Sequence, residues 1–374
     1  MPIPFTCLPQ SESQVDDRLR HRTANPAQAL AGAREDSRRE ADPFGVEIAE
    51  PRGADRWHIS SWSSWAFGLL ALAALIAVVL HFGTIEEFTR LAASASPSWF
   101  LTACLAQAGT YVCAALVWHQ TLRHAGHPRR LRVLVPLGLA KLFTDQVVPT
   151  SGVSGAIVVA RALVRRRVPT SIVMATLLVG LVSYFAAYLI CAMASLGLLW
   201  LHQRANAAFV CIVAIFAAVV IAIPSGVLWL KQWGQRIPVI WVRRLPGAAQ
   251  LLRAVAEAPS GLLVDPLLLA RTVTLEFLIF ALDALTLWLV FRALGHDPGM
   301  WVAFVGFIMA SMFATLGPIP LGLGTFEAGC VGMLGLLDVP IETALAATII
   351  LRGLTFWVPM VPGLWLARRE LRSS

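Results

Sequence analysis

Several ionisable residues lie inside runs of apolar residues, where a charge needs a specific reason to be present. Lys141 and Asp145 are four residues apart, so on a helix they share a face and can neutralise each other. Glu276 and Asp283 are seven residues apart and share a face of one long apolar run. The alternatives to a mechanistic role are packing against Ser or Thr hydroxyl groups and a position near the membrane interface. A charge at the centre of a bilayer costs about 2.5–3.5 kcal/mol on insertion scales, so these residues predict charged partners or a polar cavity.

Three further charges, Arg161, Glu327 and Arg352, lie in the same kind of environment. For Glu327 the open alternatives are a cationic group of a ligand, a proton and Arg352, and the last of these includes a purely structural ion pair. Lys141, Asp145 and Arg161 form a second candidate set with the same structural alternative. The candidate substrate-binding residues are therefore Lys141, Asp145, Arg161, Glu327 and Arg352.

Two clusters of Pro and Gly interrupt the apolar sequence, at residues 149–155 and 318–324. Each follows one apolar segment and precedes another, so the clusters occupy comparable places in the two halves of the chain. Such paired breaks are typical of transporters built from an inverted repeat, in which helices stop near the middle of the membrane. Ordinary loops between two spans are the alternative. The residues that make the breaks are Pro149, Gly152, Gly155, Pro318, Pro320, Gly322 and Gly324.

The composition predicts that most of the chain is embedded in lipid. Hydrophobic residues make up 57% of the 374 residues and charged residues only 14%, which is too few charges to cover the surface of a soluble protein of this size. Residues 1–57 are the exception, because they carry eight Arg and ten Asp or Glu without an apolar period, which is typical of a disordered cytoplasmic tail. Residues 58–374 then form one polytopic transmembrane domain.

The apolar runs predict an all-α integral membrane protein with about 7–9 helical segments, two of them broken or re-entrant. Leu134–Val148 has about 15 residues, fewer than the roughly 20 needed to cross a bilayer, and arginines flank it on both sides. This combination predicts a helical hairpin that enters from the cytoplasmic face and returns to it. Arginine clusters in alternate loops predict that both termini are cytoplasmic. The remaining predicted segments are Trp62–Phe82, Trp99–Thr121, Ile172–Leu201, Ala208–Leu230, Leu267–Leu294, Trp301–Leu316, Glu327–Leu337 and Ile341–Leu366.

Other kinds of site find little support in the sequence. His124 and His127 have the spacing of a metal pair, but no carboxylate or thiol completes a site nearby, so neither a metal nor a cofactor is expected. The cysteines form no C-x-x-C pair. The ATP-binding pattern G-x-x-x-x-G-K-[ST] is missing from the sequence. The arginines flank apolar runs instead of forming one basic patch, so nucleic acid is not expected as a partner.

The C-terminal part of the sequence carries a recognisable pattern. It reads PLGLGTFEA over residues 320–328, then ALAA over 344–347 and LRGLTFWVP over 351–359, with Pro-Gly at 362–363. This pattern resembles the C-terminal signature of the lysylphosphatidylglycerol synthase transmembrane family, which is flippase-like. The segment over residues 146–167, which contains the first break, is similar to the first broken segment of that family. The resemblance covers most of residues 60–370.

The resemblance implies an inner-membrane protein that translocates, or helps to present, modified phospholipids or lipid-linked molecules. In two-domain members of the family a soluble aminoacyl-transferase domain follows the membrane part, whereas five residues follow Arg369 here, so lysyl transfer by this chain is not expected. Two positions depart from the family pattern. Leu321 stands where many relatives have Gly, and Ala156 replaces an acidic residue.

The primary hypothesis is that the two broken segments form a central cavity. Basic residues there would meet a lipid phosphate, and Glu327 would meet a cationic headgroup or carry a coupling proton. Membrane lipids are then the partners. The rival hypothesis is an accessory protein that transports nothing and acts as a scaffold for a lipid-modifying or glycosylating enzyme. A third hypothesis, an integral-membrane transferase, needs clustered carboxylates or histidines at one leaflet, and the sequence has no convincing cluster of this kind.

Overall fold

The computed structural model describes residues 96–147, 153–233, 260–317, 322 and 324–372, and every regular element among these residues is helical. The predicted all-α fold is therefore confirmed. The predicted tail over residues 1–57 and the first predicted span, Trp62–Phe82, lie outside the described residues. The helices are α1 (Pro97–His124), α2 (Leu131–Val147), α3 (Val153–Arg165), α4 (Thr170–Leu201), α5 (Ala207–Trp233), α6 (Ser260–Val264), α7 (Pro266–Ala293), α8 (Met300–Leu316), α9 (Thr325–Leu336), α10 (Ile341–Arg352), a π-helical turn (Gly353–Trp357) and α11 (Val358–Arg372).

Four helical stretches of the described chain are long and apolar enough to cross a membrane. They are α1, α4, α7 and the continuous stretch Ile341–Leu366, which runs from α10 through the π-helical turn into α11. At a rise of 1.5 Å per residue, the 28 residues of α1 extend about 42 Å, more than the roughly 30 Å of the hydrocarbon core. The helix ends agree with the predicted segments to within a few residues, so the chain is an integral multi-pass membrane protein.

The start of α7 shows how the sequence sets a helix boundary. Pro266 occupies the first helical position, where its missing N–H group leaves no hydrogen bond unmade. The Asp265 side chain accepts hydrogen bonds from the N–H groups of Leu267 and Leu268, both at 2.9 Å. The Leu268 N–H group holds the pKa of Asp265 below its usual value, with smaller contributions from Leu267 and the His124 side chain.

Contacts between helix ends define two opposite ends of the bundle. At one end, which is rich in arginine, His124 Nε2 lies 3.0 Å from Asp265 Oδ2, so the end of α1 meets the start of α7. At the opposite end, the Ser96 N–H group donates to the Ala293 carbonyl at 2.8 Å, so the start of α1 meets the end of α7. These two helices therefore lie antiparallel along their whole length. The positions of the other helices are given relative to the two ends of this pair.

Helices α2 and α3 form a hairpin that enters from the arginine-rich end. Arg129 lies just before α2 and donates to the Arg166 carbonyl, just after α3, at 2.6 Å, so both arms reach the same end. The 17 residues of α2 extend about 25 Å, too little to cross the hydrocarbon core. This arrangement agrees with the predicted hairpin, which enters from the arginine-rich side and returns to it. Pro149 and Gly152 lie outside the described residues.

Helices α8 and α9 form a second hairpin, and it enters from the opposite end. The Trp301 ring at the start of α8 stacks on His202, which follows α4, with 3.9 Å between ring centroids. Arg204 Nη2 lies 2.5 Å from Asp338 Oδ2, just after α9, so both arms reach this end. Two hairpins of similar length, with arms of 17 and 13 residues and of 17 and 12 residues, thus enter from opposite ends, as an inverted repeat requires. Pro318 and Pro320 lie outside the described residues.

Opposite entry of the two hairpins predicts opposite accessibility of their ends. In a cysteine-free background, Arg130→Cys and Arg165→Cys are expected to react with a membrane-impermeant maleimide from one side of sealed vesicles. Gln203→Cys and Asp338→Cys are expected to react only from the other side, and all four residues are exposed. Labelling of positions 165 and 338 from the same side would contradict this topology.

Candidate functional site

Glu327 and Arg352 form a buried ion pair between the second hairpin and the last span. Arg352 Nε lies 2.6 Å from Glu327 Oε1, and the two side chains are only 16% and 8% exposed. The second carboxylate oxygen of Glu327 accepts a hydrogen bond from the Gly324 N–H group at 2.6 Å, at the start of α9. The Arg352 guanidinium also lies over the Phe326 ring, 4.8 Å from its centroid. Of the partners considered for Glu327, the structure supplies Arg352.

The loop before α9 requires glycine because of its backbone conformation. Gly322 and Gly324 have φ values of +63° and +81°, in the left-handed region that other residues rarely adopt. With Gly324 in this conformation, its N–H group is directed to Glu327, a carboxylate in the first turn, where the partial positive charge of the helix start stabilises an anion.

A π-helical turn begins directly after Arg352. It covers Gly353–Trp357 and joins α10 to α11 within one continuous span. Turns of this kind widen the helix and are frequent at functional sites. Here the Leu354 carbonyl accepts a hydrogen bond from the Tyr111 hydroxyl of α1 at 3.4 Å. The turn therefore connects the neighbourhood of Arg352 to α1.

Lys141 and Asp145 form the second ion pair, on α2 of the first hairpin. Lys141 Nζ lies 2.8 Å from Asp145 Oδ2, at the predicted i, i+4 spacing. Asp145 Oδ1 accepts hydrogen bonds from the Gly155 N–H group at 2.7 Å and from Ser154 Oγ at 3.2 Å. A Cβ atom on Gly155 would lie 2.6 Å from the Asp145 carboxylate. Any larger residue at position 155 would therefore displace the Asp145 carboxylate from these hydrogen bonds.

The two hairpins share one chemical arrangement. In each, a carboxylate accepts a backbone N–H group at the start of the returning arm and pairs with one basic side chain. Asp145 and Lys141 do this in the first hairpin, and Glu327 and Arg352 in the second. Each carboxylate thus fastens the two arms of a hairpin, or a hairpin and a neighbouring span, at the point where the helix is interrupted.

Four of the five predicted substrate-binding residues are therefore joined in two pairs. The fifth, Arg161, is half-buried on α3, the helix whose start is bound by Asp145. The span that carries Arg352 continues along α2, because Gly363 of α11 lies so close that an added Cβ atom would be 2.7 Å from the Phe143 Cβ atom. The role of these residues in binding a substrate stays a prediction.

A third polar group lies between α1 and α7. Asp283 Oδ1 accepts a hydrogen bond from Gln107 Nε2 at 3.2 Å, and Gln107 is buried. Glu276, two turns before Asp283, interacts electrostatically with Lys141. Sequence reasoning identified the shared face of the two acidic residues but missed Gln107. A polar residue in an otherwise apolar span was the signal that could have found it.

At the end of the bundle opposite the arginine-rich end, two tryptophan rings lie beside Arg292. Its guanidinium lies 4.9 Å from the Trp99 ring centroid and 5.6 Å from that of Trp288. Arg292 also pairs with Asp297, and the hydrogen bond from the Trp288 indole holds the pKa of Asp297 below its usual value. Tryptophan and arginine together are typical of a membrane–water interface.

No group of three or more His, Cys, Asp or Glu side chains that could hold a metal ion occurs among the residues that the structure describes. The polar groups of the candidate site are ion pairs, hydroxyl groups and amides within a helical bundle. Chemically, such groups can bind phosphate, ammonium groups or protons, and they can exchange partners with one another.

Comparisons with known proteins place the chain among membrane proteins of one family. Residues 65–363 match the family model described as the lysylphosphatidylglycerol synthase TM region. Two proteins of Methanothermobacter thermautotrophicus, each named UPF0104 membrane protein, are similar to the chain. One is 24% identical over 315 residues, which cover 78% of this chain and 90% of that protein. The other is 23% identical over 165 residues, which cover 39% of this chain and 49% of that protein. The chain thus spans about half the length of this second relative.

The close approach at position 155 predicts a cost for adding a methyl group. Gly155→Ala is expected to lower the free energy of unfolding by about 1–3 kcal/mol, as other overpacked sites do, because the new Cβ atom collides with the Asp145 carboxylate. Gly197→Ala is the matched control, since nothing lies within 4 Å of a Cβ atom there. Thermal unfolding in detergent, followed by tryptophan fluorescence, measures the difference. Equal stability of the two variants would argue against the contact.

The Glu327–Arg352 pair predicts a non-additive pair of substitutions. Glu327→Gln or Arg352→Met alone leaves one buried charge without its partner, and each is expected to cost about 3–5 kcal/mol. The double variant removes both charges and is expected to be more stable than either single variant. A double-mutant cycle on the same unfolding signal tests this. Additive losses would show that the two side chains act independently.

Proposed function

The chain belongs to the lysylphosphatidylglycerol synthase transmembrane-region family, and we propose that it translocates phospholipids or lipid-linked molecules across the cytoplasmic membrane, or presents them to an enzyme there. This proposal rests mainly on one observation. Two hairpins that are too short to cross the bilayer enter the bundle from opposite ends, and each has an ion pair where its helix is interrupted, partly buried in the first hairpin and buried in the second.

Interrupted helices inside a bilayer require shelter, because lipid offers no hydrogen-bond partner for the freed backbone groups. Transporters use such helix ends to form a site near the middle of the membrane, which is open to one side at a time. The opposite entry of α2–α3 and of α8–α9 supports this class of mechanism. A hairpin from each side gives each face of the membrane one movable element.

The charges at the hairpins match the chemistry of a lipid headgroup. Lys141, Arg161 and Arg352 carry positive charge that a phosphate can bind, and the acidic partners can bind an ammonium group of the same headgroup. In the state described, Lys141 is held by Asp145 and Arg352 by Glu327. In the proposed mechanism a phosphate competes with a carboxylate for its basic partner, and the released carboxylate loosens its hairpin.

The orientation in the membrane follows from the arginine distribution. Arg123, Arg129, Arg130 and Arg132 lie at one end of the bundle together with residues 165–167, and positive residues favour the cytoplasmic side. Under this proposal the arginine-rich end faces the cytoplasm, both termini are cytoplasmic, and the membrane is the cell membrane. The first hairpin then opens to the cytoplasm and the second to the other side.

The same ion pairs also fit one alternative function. Because both pairs are well formed, they serve equally well to hold the hairpins in a protein that transports nothing and acts as a scaffold for a lipid-modifying or glycosylating enzyme. The two functions differ in one respect. A scaffold needs the hairpins only to be folded, whereas a translocator needs their basic groups to exchange partners.

Lipid translocation in liposomes separates these functions. The protein is reconstituted with fluorescent NBD-phosphatidylglycerol, and dithionite quenching measures the fraction of probe that reaches the outer leaflet over time. Wild type is expected to exceed protein-free vesicles, while Lys141→Met and Arg352→Met are expected to lose about tenfold in rate, which corresponds to about 1.4 kcal/mol. Thermal unfolding of the same preparations checks that both variants are folded.

Arg204→Ala is the matched control, because it removes an arginine from an exposed ion pair at the bundle end. It is expected to keep the wild-type rate. A wild-type rate equal to that of protein-free vesicles, with folded protein in the membrane, would contradict translocation and favour the scaffold.

A further inference from the structure

Asp283 differs from the other acidic residues inside the bundle in the kind of partner it has. Asp145 pairs with Lys141, Glu327 pairs with Arg352, and Glu276 interacts with Lys141. The described partners of Asp283 are instead an amide and two phenols. Gln107 of α1 donates to it, and Tyr111 of α1 and Tyr184 of α4 interact with it electrostatically. A negative charge inside a membrane without a cation is costly, and binding a proton removes that cost.

Gln107 provides a second and independent observation. Only 5% of this residue is exposed, and its Oε1 atom is buried without a hydrogen-bond partner among the described residues. The Nε2 atom of the same amide is occupied, because it donates to Asp283 Oδ1 and to Thr110 Oγ1, both at 3.2 Å. The Thr110 hydroxyl hydrogen is also used, in a 2.7 Å bond to the Gln107 backbone carbonyl. A hydrogen-bond donor is therefore missing at Oε1.

A protonated carboxyl group supplies the donor that is missing. The oxygen and nitrogen of an amide lie side by side, as do the two oxygens of a carboxyl group. The structure contains one of the two bonds that such a pair can make, from Gln107 Nε2 to Asp283 Oδ1. A proton taken from water and bound at Asp283 Oδ2 creates an O–H group that can donate to Gln107 Oε1. The carboxylate charge then falls from −1 to zero, and both polar atoms of the amide are satisfied.

We propose that Asp283 is a proton-binding site, in which the protonated carboxyl group forms a two-bond pair with the Gln107 amide across the α1–α7 contact. The following groups of the described helices interact with Asp283. They are Tyr111 and Gln107 on α1 and Tyr184 on α4. Glu276, two turns earlier on α7, also interacts with Tyr184, and it interacts in turn with Lys141 on α2 and Cys113 on α1.

The position of this site gives the proton a route to influence the rest of the bundle. Gln107 and Tyr111 are one turn apart on α1, and the Tyr111 hydroxyl donates to the Leu354 carbonyl, two residues after Arg352. A change in the Asp283–Gln107 bonds therefore acts on the same helix that contacts the π-helical turn. This part of the inference rests on the proposed translocation, with the proton as the coupling ion.

Infrared spectroscopy tests proton binding without any transport. The purified full-length chain in lipid nanodiscs is titrated with acid and base while the carbonyl stretch of protonated carboxyl groups is recorded. Near neutral pH, where ordinary Asp and Glu side chains are ionised, wild type is expected to show a protonated-carboxyl band that Asp283→Asn abolishes and Glu276→Gln retains. Gln107→Leu is expected to shift this band, because the carboxyl group loses its amide partner. A band that survives in Asp283→Asn, or disappears in Glu276→Gln instead, would overturn the proposal.

A pH gradient across liposomes tests the coupling. Wild-type translocation of NBD-phosphatidylglycerol is expected to change with the gradient by up to about tenfold per pH unit, the limit for one coupled proton. Asp283→Asn is expected to lose this dependence, and Arg204→Ala to keep it. The two failures are distinguishable. A band assigned to Asp283 without any lipid movement contradicts the proposed function alone, whereas lipid movement without that band contradicts the proton site alone.

Discussion

The structure depends on one constraint, which is that an interrupted helix inside a bilayer must have its first free N–H groups bound by the protein. Asp145 and Glu327 meet this need by accepting the N–H groups of Gly155 and Gly324. A carboxylate in this position brings a charge into the bilayer, so each also requires a basic partner. The need for a backbone acceptor thus explains the two ion pairs, and the pairs account for four of the charges in the apolar sequence.

The two hairpins solve this problem in the same way but not with the same geometry. Asp145 lies on the first arm of its hairpin, whereas Glu327 lies on the second arm and binds the start of its own helix. The basic partner also differs, since Lys141 is on the same helix and Arg352 is on a separate span. Opposite entry supports an inverted repeat of the architecture, while the positions of the carboxylates and their basic partners differ between the two halves.

The sequence predicted the features that depend on local periodicity. Helix limits followed from hydropathy, and the Lys141–Asp145 pair followed from its i, i+4 spacing. The Glu327–Arg352 pair was one of several alternatives, because 25 residues separate the partners and only tertiary packing joins them. The break in Ile341–Leu366 was not predicted, since a π-helical turn leaves the hydropathy unchanged. Gln107 was missed because its importance arises only where α1 meets Asp283.

Energetics assign different roles to the ion pairs and to Asp283. Separating one buried pair leaves two uncompensated charges, and removing a single partner from such a pair costs about 3–5 kcal/mol. Moving a two-state equilibrium from 1:99 to 99:1 requires about 5.5 kcal/mol, so breaking a pair without a replacement partner consumes most of the energy that such a transition needs. Binding a proton at Asp283 changes a charge without separating any ion pair. In the proposed mechanism, a carboxylate with neutral partners is therefore the group best able to change state first, and the paired carboxylates hold the hairpins until a phosphate replaces one partner.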